Sequence, residues 1–263
     1  MRPDFLANIQ GLILDMDGVL WRDQAPLLDI PAFFTQSEII GLSVVLATNN
    51  STKTVDQYIE KLVHFGAQIR PEQIVNSSMA AADYLKHLHP QGGPVFVVGE
   101  SGLIDSLAAE GFFIAEENVL AVVAGLDRQI TYSKLNKASR LIRDGAPFIG
   151  TNPDRTFPTP SGLTPGSGSV LAFIEAASGV SPTIMGKPER YMFDVALRRL
   201  NLSPEAVLAV GDRMDTDIQG GQRAGCRTAV VLSGVSTLAE VQAWHPQPDL
   251  IIDNLNDLLG LMK

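Results

Sequence analysis

Two aspartates at the end of an apolar run, Asp15 and Asp17, are the residues whose type and spacing most directly suggest chemistry. They follow the aliphatic residues 12–14, and Gly18 comes directly after them. In an open α/β sheet, ligands bind at the carboxyl ends of the strands, so a strand that ends in two acids indicates a site. One carboxylate of such a pair can attack a substrate while the other transfers a proton.

Three further segments place reactive groups where an apolar run ends. The first carries Thr48 and Asn49 before a predicted helix, where a hydroxyl and backbone N–H groups form an anion site. In the second, Lys187 offers a compact cation for a phosphoryl oxygen. The third contains Asp212 and Asp217, and carboxylates so close in sequence repel each other unless a cation lies among them. Alone, the first and third segments are explained by helix capping or a turn, and Lys187 is explained by a solvated surface lysine. Together with the acid pair they predict one pocket.

Short apolar runs alternate with amphipathic stretches along the chain, and this pattern indicates the elements that must position these groups. The runs 42–47, 94–98 and 206–210 have the character of buried strands, whereas 54–62 and 133–144 show helical periodicity. Such alternation predicts parallel βαβ units with helices on both faces of a sheet.

The four segments together resemble the motifs of haloacid dehalogenase-type (HAD) phosphatases, in the order in which that superfamily carries them. The matching residues are Asp15-Met16-Asp17-Gly18-Val19, Thr48-Asn49-Asn50-Ser51, Gly186-Lys187-Pro188, Gly211-Asp212-Arg213 and Thr216-Asp217-Ile218. Segments 48–51, 125–135 and 164–169 are similar to the NagD-like subfamily, which includes phosphoglycolate, pyridoxal phosphate, nucleotide and p-nitrophenyl phosphate phosphatases. The resemblance implies an α/β fold, with a Rossmann-like core around a parallel sheet and a smaller inserted α/β cap domain.

The long interval between the second and third motifs leaves room for that cap. It contains three β-rich runs and at least two helical stretches, enough for a small α/β domain with a core of its own. We therefore predict a discontinuous core of residues 1–79 and 183–263 and a cap of residues 80–182. Within the cap, segment 152–168 is rich in Pro, Thr, Gly and Ser and is predicted to be a loop.

The resemblance implies a hydrolase that works through the acid pair. Asp15 is expected to be the nucleophile that forms an aspartyl-phosphate, and Asp17 the general acid/base. A carboxylate that attacks a phosphate dianion needs a cation, and the expected cofactor is Mg²⁺ held by Asp15, the Asp17 backbone carbonyl and Asp212. Halide leaves without a proton, so the second acid favours a phosphate over a halogenated substrate.

The same resemblance implies where the phosphate and the leaving group bind. Thr48, the Asn49 backbone N–H and Lys187 are expected to bind the phosphoryl oxygens. Asp217 is expected to act on a metal-bound water or on Lys187. Three polar residues of the predicted cap are candidates for substrate specificity: Asp127, Arg128 and Tyr132.

Composition excludes several other classes of protein. A net charge of -9, without a basic run interleaved with aromatics, argues against nucleic acid as a partner. No apolar stretch approaches the roughly 20 residues of a membrane helix, and residues 1–4 lack the apolar core of a signal peptide. The single cysteine, Cys226, agrees with a reducing compartment. A cytoplasmic protein is expected, with a small phosphorylated metabolite as its partner, either as a monomer or as a homodimer.

Three alternatives stay open at this stage. A response-regulator-like domain also combines acids, Thr and Lys around Mg²⁺, but its acceptor aspartate lies on the strand where this chain has Thr48 and Asn49. A catalytically silent protein that binds a phosphate ligand has no need for both Asp15 and Asp17. A phosphomutase shares the acid pair, although the NagD-like cap signature favours hydrolysis.

Overall fold

The computed structural model describes residues 3–159 and 162–262. The strands are Gly11–Leu14 (β1), Trp21–Arg22 (β2), Ala25–Pro26 (β3), Ser43–Thr48 (β4), Ile74–Asn76 (β5), Gly93–Val98 (β6), Phe112–Ile114 (β7), Val122–Ala124 (β8), Phe148–Gly150 (β9), Thr156–Thr159 (β10), Gly162–Pro165 (β11), Thr183–Ile184 (β12), Val207–Gly211 (β13), Arg227–Val231 (β14) and Leu250–Ile252 (β15). The α-helices are Ile30–Ile39 (α1), Val55–His64 (α2), Ser77–Leu88 (α3), Ser101–Ala109 (α4), Tyr132–Arg143 (α5), Ser167–Ser178 (α6), Tyr191–Leu200 (α7), Gln219–Ala224 (α8), Leu238–Ala243 (α9) and Leu255–Met262 (α10). Short 3-10 turns span Asp4–Asn8, Pro71–Gln73 and Pro204–Ala206, and a π-helical turn spans Met214–Ile218.

The chain divides into two compact units. The first comprises Met1–Thr48, Asp56–Val75 and Lys187–Lys263, and the second comprises Asn49–Val55 and Asn76–Gly186. The second unit includes β12, because this strand pairs with β9 of its sheet. That these units are the core and cap domains of the resemblance stays a prediction.

The first unit is built on a six-stranded sheet in the order β15-β14-β13-β1-β4-β5. The β1 strand pairs in parallel with β13 on one side and β4 on the other, with Leu14 opposite Val210 and Leu46. Every residue of β1 and β13 is buried, which is typical of a parallel sheet covered on both faces. The parallel α/β architecture predicted from the alternating pattern is confirmed.

The helices of the first unit pack by their apolar faces. Along α2, Tyr58 and Leu62 are the buried positions, one helical turn apart. The π-helical turn contributes Met214 and Ile218 to a cluster with residues of β14 and α9. Among residues 3–159 and 162–262, no helix combines the length and apolar character that a membrane crossing requires.

The second unit has a five-stranded sheet of its own, in the order β12-β9-β8-β6-β7. Buried side chains that include Phe96, Val122, Phe148 and Leu171 form its core. The loop predicted over 152–168 is wrong in part, because antiparallel β10 and β11 form a hairpin there and α6 begins at Ser167. The hairpin uses Thr and Phe at paired positions, and its Gly and Pro residues had indicated irregular backbone. Residues 160–161 of that segment lie outside the described residues.

Candidate active site

Three of the predicted site residues come together because their strands are neighbours. Asp15 follows β1, Thr48 is the last residue of β4, and Asp212 follows β13. Because β1 lies between β4 and β13 in a parallel sheet, all three reach its carboxyl edge. This edge is where α/β sheets bind ligands.

Lys187 links this edge to Asp217. Its Nζ donates hydrogen bonds to Asp15 Oδ1 at 2.5 Å, to Asp217 Oδ1 at 2.6 Å and to the Ala47 carbonyl at 3.0 Å. The lysine, Asp212 and Asp217 are all buried, and Asp15 is half-buried. Charged hydrogen bonds in such a setting are stronger than those between neutral groups, so the ammonium group fixes both carboxylates.

The electrostatics of the cluster follow from burial and crowding. Burial raises the pKa of Asp15 well above its ordinary value, and the negative charges of Asp217 and Asp212 add to this rise, while Lys187 opposes it. Burial also raises the pKa of Asp212 to about 6, with a further contribution from Asp217. Burial alone would lower the pKa of Lys187, but Asp15 and Asp217 raise it, so the lysine stays charged.

Hydrogen bonds from backbone N–H groups orient the side chains of Asp212 and Asp217. The Val235 N–H donates to Asp212 Oδ2 at 2.8 Å, and the Arg213 N–H donates to Asp217 Oδ2 at 3.1 Å. Asp217 lies in the π-helical turn, a rare conformation that is frequent at functional sites. At Gly18 a left-handed φ of +83° and the direct approach of the Asp212 carboxylate leave no room for a side chain.

These carboxylates also fit a metal ion. Asp15, Asp212 and Asp217 each offer one oxygen, and the three atoms lie within 4.8 Å of one another. When all three carboxylates are ionised they face one ammonium group, which leaves two negative charges among these four side chains. An oxygen-rich, doubly negative group of this kind suits a hard divalent cation.

The Asp17 side chain accepts a hydrogen bond from Trp21, the residue whose backbone closes the turn after Asp17. Trp21 Nε1 donates to Asp17 Oδ1 at 2.8 Å, and the Gly18 N–H donates to the Trp21 carbonyl at 2.7 Å. Its type and its position close after the acid pair predict a packing residue that lines the mouth of the site, and its burial agrees with packing. Its hydrogen bond to the second acid of the pair could not be foreseen, because the spacing alone does not show which way the ring turns.

Tyr58 adds a hydroxyl that no motif in the sequence marks. It is buried on α2, and its hydroxyl faces the Thr48 side chain. Burial, with the negative charges of Asp17 and Asp15, raises the pKa of Tyr58, so the phenol stays protonated. The available signal was its position on the buried face of an amphipathic helix, where a tyrosine needs a polar partner for its tip.

Comparison with known proteins decides the family. Residues 12–113 match the profile described as haloacid dehalogenase-like hydrolase, and residues 184–258 match the profile described as HAD-hydrolase-like. The acid sugar phosphatase of Staphylococcus aureus (strain USA300) is 39% identical over 98% of this chain and 100% of its own length. The chain belongs to the haloacid dehalogenase-like hydrolases.

Solved structures narrow the assignment within this family to the NagD-like phosphatases. NagD from E. coli K-12 superposes with a TM-score of 0.87 and 33% identity, covering 94% of this chain and 96% of NagD. The 4-nitrophenylphosphatase from Thermotoga maritima gives a TM-score of 0.92 and 32% identity, covering 99% of this chain and all of that one. The chain is therefore a phosphatase of the NagD-like group, as its motifs predict.

In this NagD-like phosphatase, Asn49 directly follows Thr48 in the chain and is held within the second unit. Its carbonyl accepts hydrogen bonds from Ser77 Oγ and Asn152 Nδ2, both at 2.6 Å, and its Nδ2 donates to Asp154 at 3.1 Å. The residue is thus anchored on both its backbone and its side chain. Its expected role in phosphate binding stays a prediction.

The three candidates for specificity differ in their surroundings. Asp127 is buried, pairs with Lys134 at 2.5 Å and accepts the Gln129 N–H at 2.9 Å. Arg128 forms an ion pair with Glu100 at 2.8 Å. Tyr132 is the first residue of α5, and it is 78% exposed. Asp127 and Arg128 thus already have partners inside the second unit, and contact with a substrate stays a prediction for all three.

Proposed function

We propose that this phosphatase hydrolyses a small phosphate monoester with the help of Mg²⁺, through an aspartyl-phosphate on Asp15. The observation that carries the proposal is the cluster of Asp15, Lys187, Asp212 and Asp217 at the carboxyl edge of the first sheet. It combines a nucleophile, a fixed ammonium group and surplus negative charge that a divalent cation offsets.

In the first half of the reaction, a carboxylate oxygen of Asp15 attacks phosphorus and the bond from phosphorus to the ester oxygen breaks. Asp17 gives its proton to that oxygen, and the alcohol leaves. Lys187 and the Thr48 hydroxyl stabilise the charge on the phosphoryl oxygens. Asp217 and the Ala47 carbonyl hold the Lys187 ammonium group beside Asp15, where the phosphoryl group is transferred.

In the second half, a water molecule attacks phosphorus and gives a proton to Asp17. The bond from phosphorus to the Asp15 oxygen breaks, which releases inorganic phosphate and restores the Asp15 carboxylate. One residue thus acts first as the acid and then as the base, so both acids of the pair end the cycle in their starting states.

The residues proposed to hold Mg²⁺ are Asp15, Asp212 and, by the resemblance, the Asp17 backbone carbonyl. Bound there, the ion reduces the repulsion between the Asp15 carboxylate and a phosphate dianion. Asp217 is assigned to Lys187 instead, because its two oxygens accept from Lys187 and from the Arg213 N–H.

The proposed substrates are small phosphate esters, with sugar phosphates and aryl phosphates as the first candidates. Support comes from the relatives, which are an acid sugar phosphatase and a 4-nitrophenylphosphatase by name. The second unit is proposed to act as the cap that reads the leaving group.

The test measures phosphate release from p-nitrophenyl phosphate and from a sugar phosphate, with Mg²⁺ and after its removal by EDTA. We expect activity only with the divalent ion. Asp15→Asn should abolish turnover, and Asp17→Asn should lower it by about 10²–10⁴, the usual contribution of general acid–base catalysis. Acid quenching of the wild-type enzyme should trap a hydroxylamine-sensitive acyl phosphate that Asp15→Asn lacks.

Asp215→Asn is the matched control. This aspartate is close in sequence to Asp212, but its side chain is 60% exposed and pairs with Arg213. The same change from acid to amide should therefore leave turnover intact. Full activity of Asp15→Asn would rule out the covalent mechanism, and absence of phosphate release from any ester would favour the phosphate-binding alternative.

A further inference from the structure

We infer that Trp21 is a positioning residue for proton transfer: its indole N–H holds Asp17 Oδ1, so that Asp17 Oδ2 carries the proton that reaches the leaving group. The inference rests on the proposed role of Asp17 as the general acid/base. It specifies which oxygen of Asp17 transfers the proton and which residue orients the carboxyl group.

The geometry of the contact is specific. Trp21 Nε1 lies 2.8 Å from Asp17 Oδ1, and the two residues are four positions apart in one turn. The turn is closed by backbone hydrogen bonds from Gly18 to Trp21 and from Leu20 to Met16. Trp21 is only 1% exposed, so packing on all sides keeps the ring in one orientation.

Surrounding side chains fix the indole ring further. Lys61 Nζ lies 4.2 Å from the centroid of the Trp21 ring and donates to the Asp23 carbonyl at 2.8 Å. The Phe65 ring packs at 5.8 Å between centroids. A cation over the π face attracts the ring electrostatically and draws electron density from it, which makes the indole N–H a stronger donor.

The chemistry of the indole makes the two Asp17 oxygens different. An indole nitrogen can only donate, so the oxygen facing it serves as the acceptor whether or not the carboxyl group is protonated. In the proposed role, Oδ2 is therefore the oxygen that carries the transferred proton. In the reaction the Oδ2–H bond breaks and a new O–H bond forms at the leaving oxygen, while the bond from Trp21 to Oδ1 persists.

Trp21→Phe removes the N–H and keeps an aromatic ring, which tests the role by kinetics. Loss of one hydrogen bond to a charged group should lower kcat by about tenfold or more, with little change in KM. The loss should be larger for phenyl phosphate than for p-nitrophenyl phosphate, because a poor leaving group depends more on protonation. In the Asp17→Asn background, Trp21→Phe should cause no further loss.

The hydrogen bond itself is tested without turnover, by the indole resonances in a proton–nitrogen correlation spectrum. The chain has two tryptophans, so the resonance that disappears in Trp21→Phe belongs to Trp21. It should lie downfield in the wild type and move upfield in Asp17→Ala, whereas Asp215→Ala should leave it in place. An unmoved resonance in Asp17→Ala would overturn the inference.

The two proposals fail in different ways. If Asp17→Asn keeps wild-type activity, the proposed function is wrong and with it the role of Trp21, whatever the spectrum shows. If Asp17→Asn is slow but Trp21→Phe slows both esters by the same factor, only the inference about Trp21 is wrong. Additive losses in the double variant would also overturn it.

Discussion

At the scale of single residues, the candidate site is dominated by negative charge that the protein itself does not neutralise. Asp212 shows this most clearly, because burial and Asp217 raise its pKa to about 6, although the Val235 N–H and Lys187 act in the opposite direction. An exposed aspartate has a pKa of about 3.9. The metal-free fold therefore keeps Asp212 ionised at neutral pH at a cost in stability.

We predict that metal-free Asp212→Asn is more stable than the metal-free wild type at pH 7. The raised pKa means that folded Asp212 binds its proton more tightly than unfolded Asp212. Its contribution to stability is thus complete below a pH of about 4 and is lost as the pH rises through about 6. The difference in the free energy of unfolding should grow over this range, to on the order of 1–3 kcal/mol.

Urea unfolding in EDTA at several pH values measures this difference. The side-chain amide introduced by Asp212→Asn keeps an oxygen that can accept the Val235 N–H, so the substitution removes charge with little change in shape. Asp215→Asn, at an exposed position, should show no such dependence on pH. A difference that stayed constant from pH 4 to pH 7 would contradict the role assigned to the charge of Asp212.

At the scale of elements, the site depends on the turns at the carboxyl ends of the strands rather than on the strands themselves. Two of these turns are unusual: the turn after β1 passes through Gly18 in a left-handed conformation, and the residues after β13 form a π-helical turn. The first brings the backbone against Asp212, and the second carries Asp217 to Lys187. Short turns therefore decide where the carboxylates point.

Gly18→Ala should damage the site more than the fold. A left-handed alanine costs roughly 1–2 kcal/mol, and the added methyl group must also displace the Asp212 carboxylate. We expect activity with Mg²⁺ to fall and the Mg²⁺ concentration for half-maximal rate to rise. Gly41→Ala is the control, because Gly41 has a similar φ of +78° with nothing within 4 Å of the added carbon. Similar effects of both variants on Mg²⁺ activation would contradict this prediction.

The sequence predicts those parts of the site that are local in the chain. Asp15, Thr48 and Asp212 could be assigned to strand ends because buried parallel strands are uninterrupted apolar runs. Contacts between distant segments were not predictable. The bond between Arg128 and Glu100 joins residues 28 positions apart, and the proximity of Tyr58 to Thr48 depends on how α2 packs. These contacts depend on how the side chains are oriented, and the hydrophobic periodicity of the sequence does not reveal that.

At the scale of the whole molecule, the residues proposed for catalysis and those proposed for substrate specificity belong to different units. The carboxylates proposed around Mg²⁺ all belong to the first unit, together with Lys187 and Thr48. The second unit has its own sheet and its own buried core. A separate core of this kind allows a unit to have a local stability of its own.

We predict that Mg²⁺ stabilises the first unit selectively. An ion that binds only the folded form raises the free energy of unfolding by about 2.7 kcal/mol at a hundredfold excess over its dissociation constant. Amide exchange that requires unfolding of the unit then slows about a hundredfold. Hydrogen–deuterium exchange should therefore slow for the amides of β1 and β13 when Mg²⁺ is added, whereas those of β6, β8 and β9 should exchange as before. Asp15→Asn should remove the effect, because it replaces a ligand carboxylate. Equal slowing in both sheets would show instead that the two units open together, and no slowing in β1 or β13 would contradict binding of the ion at this edge.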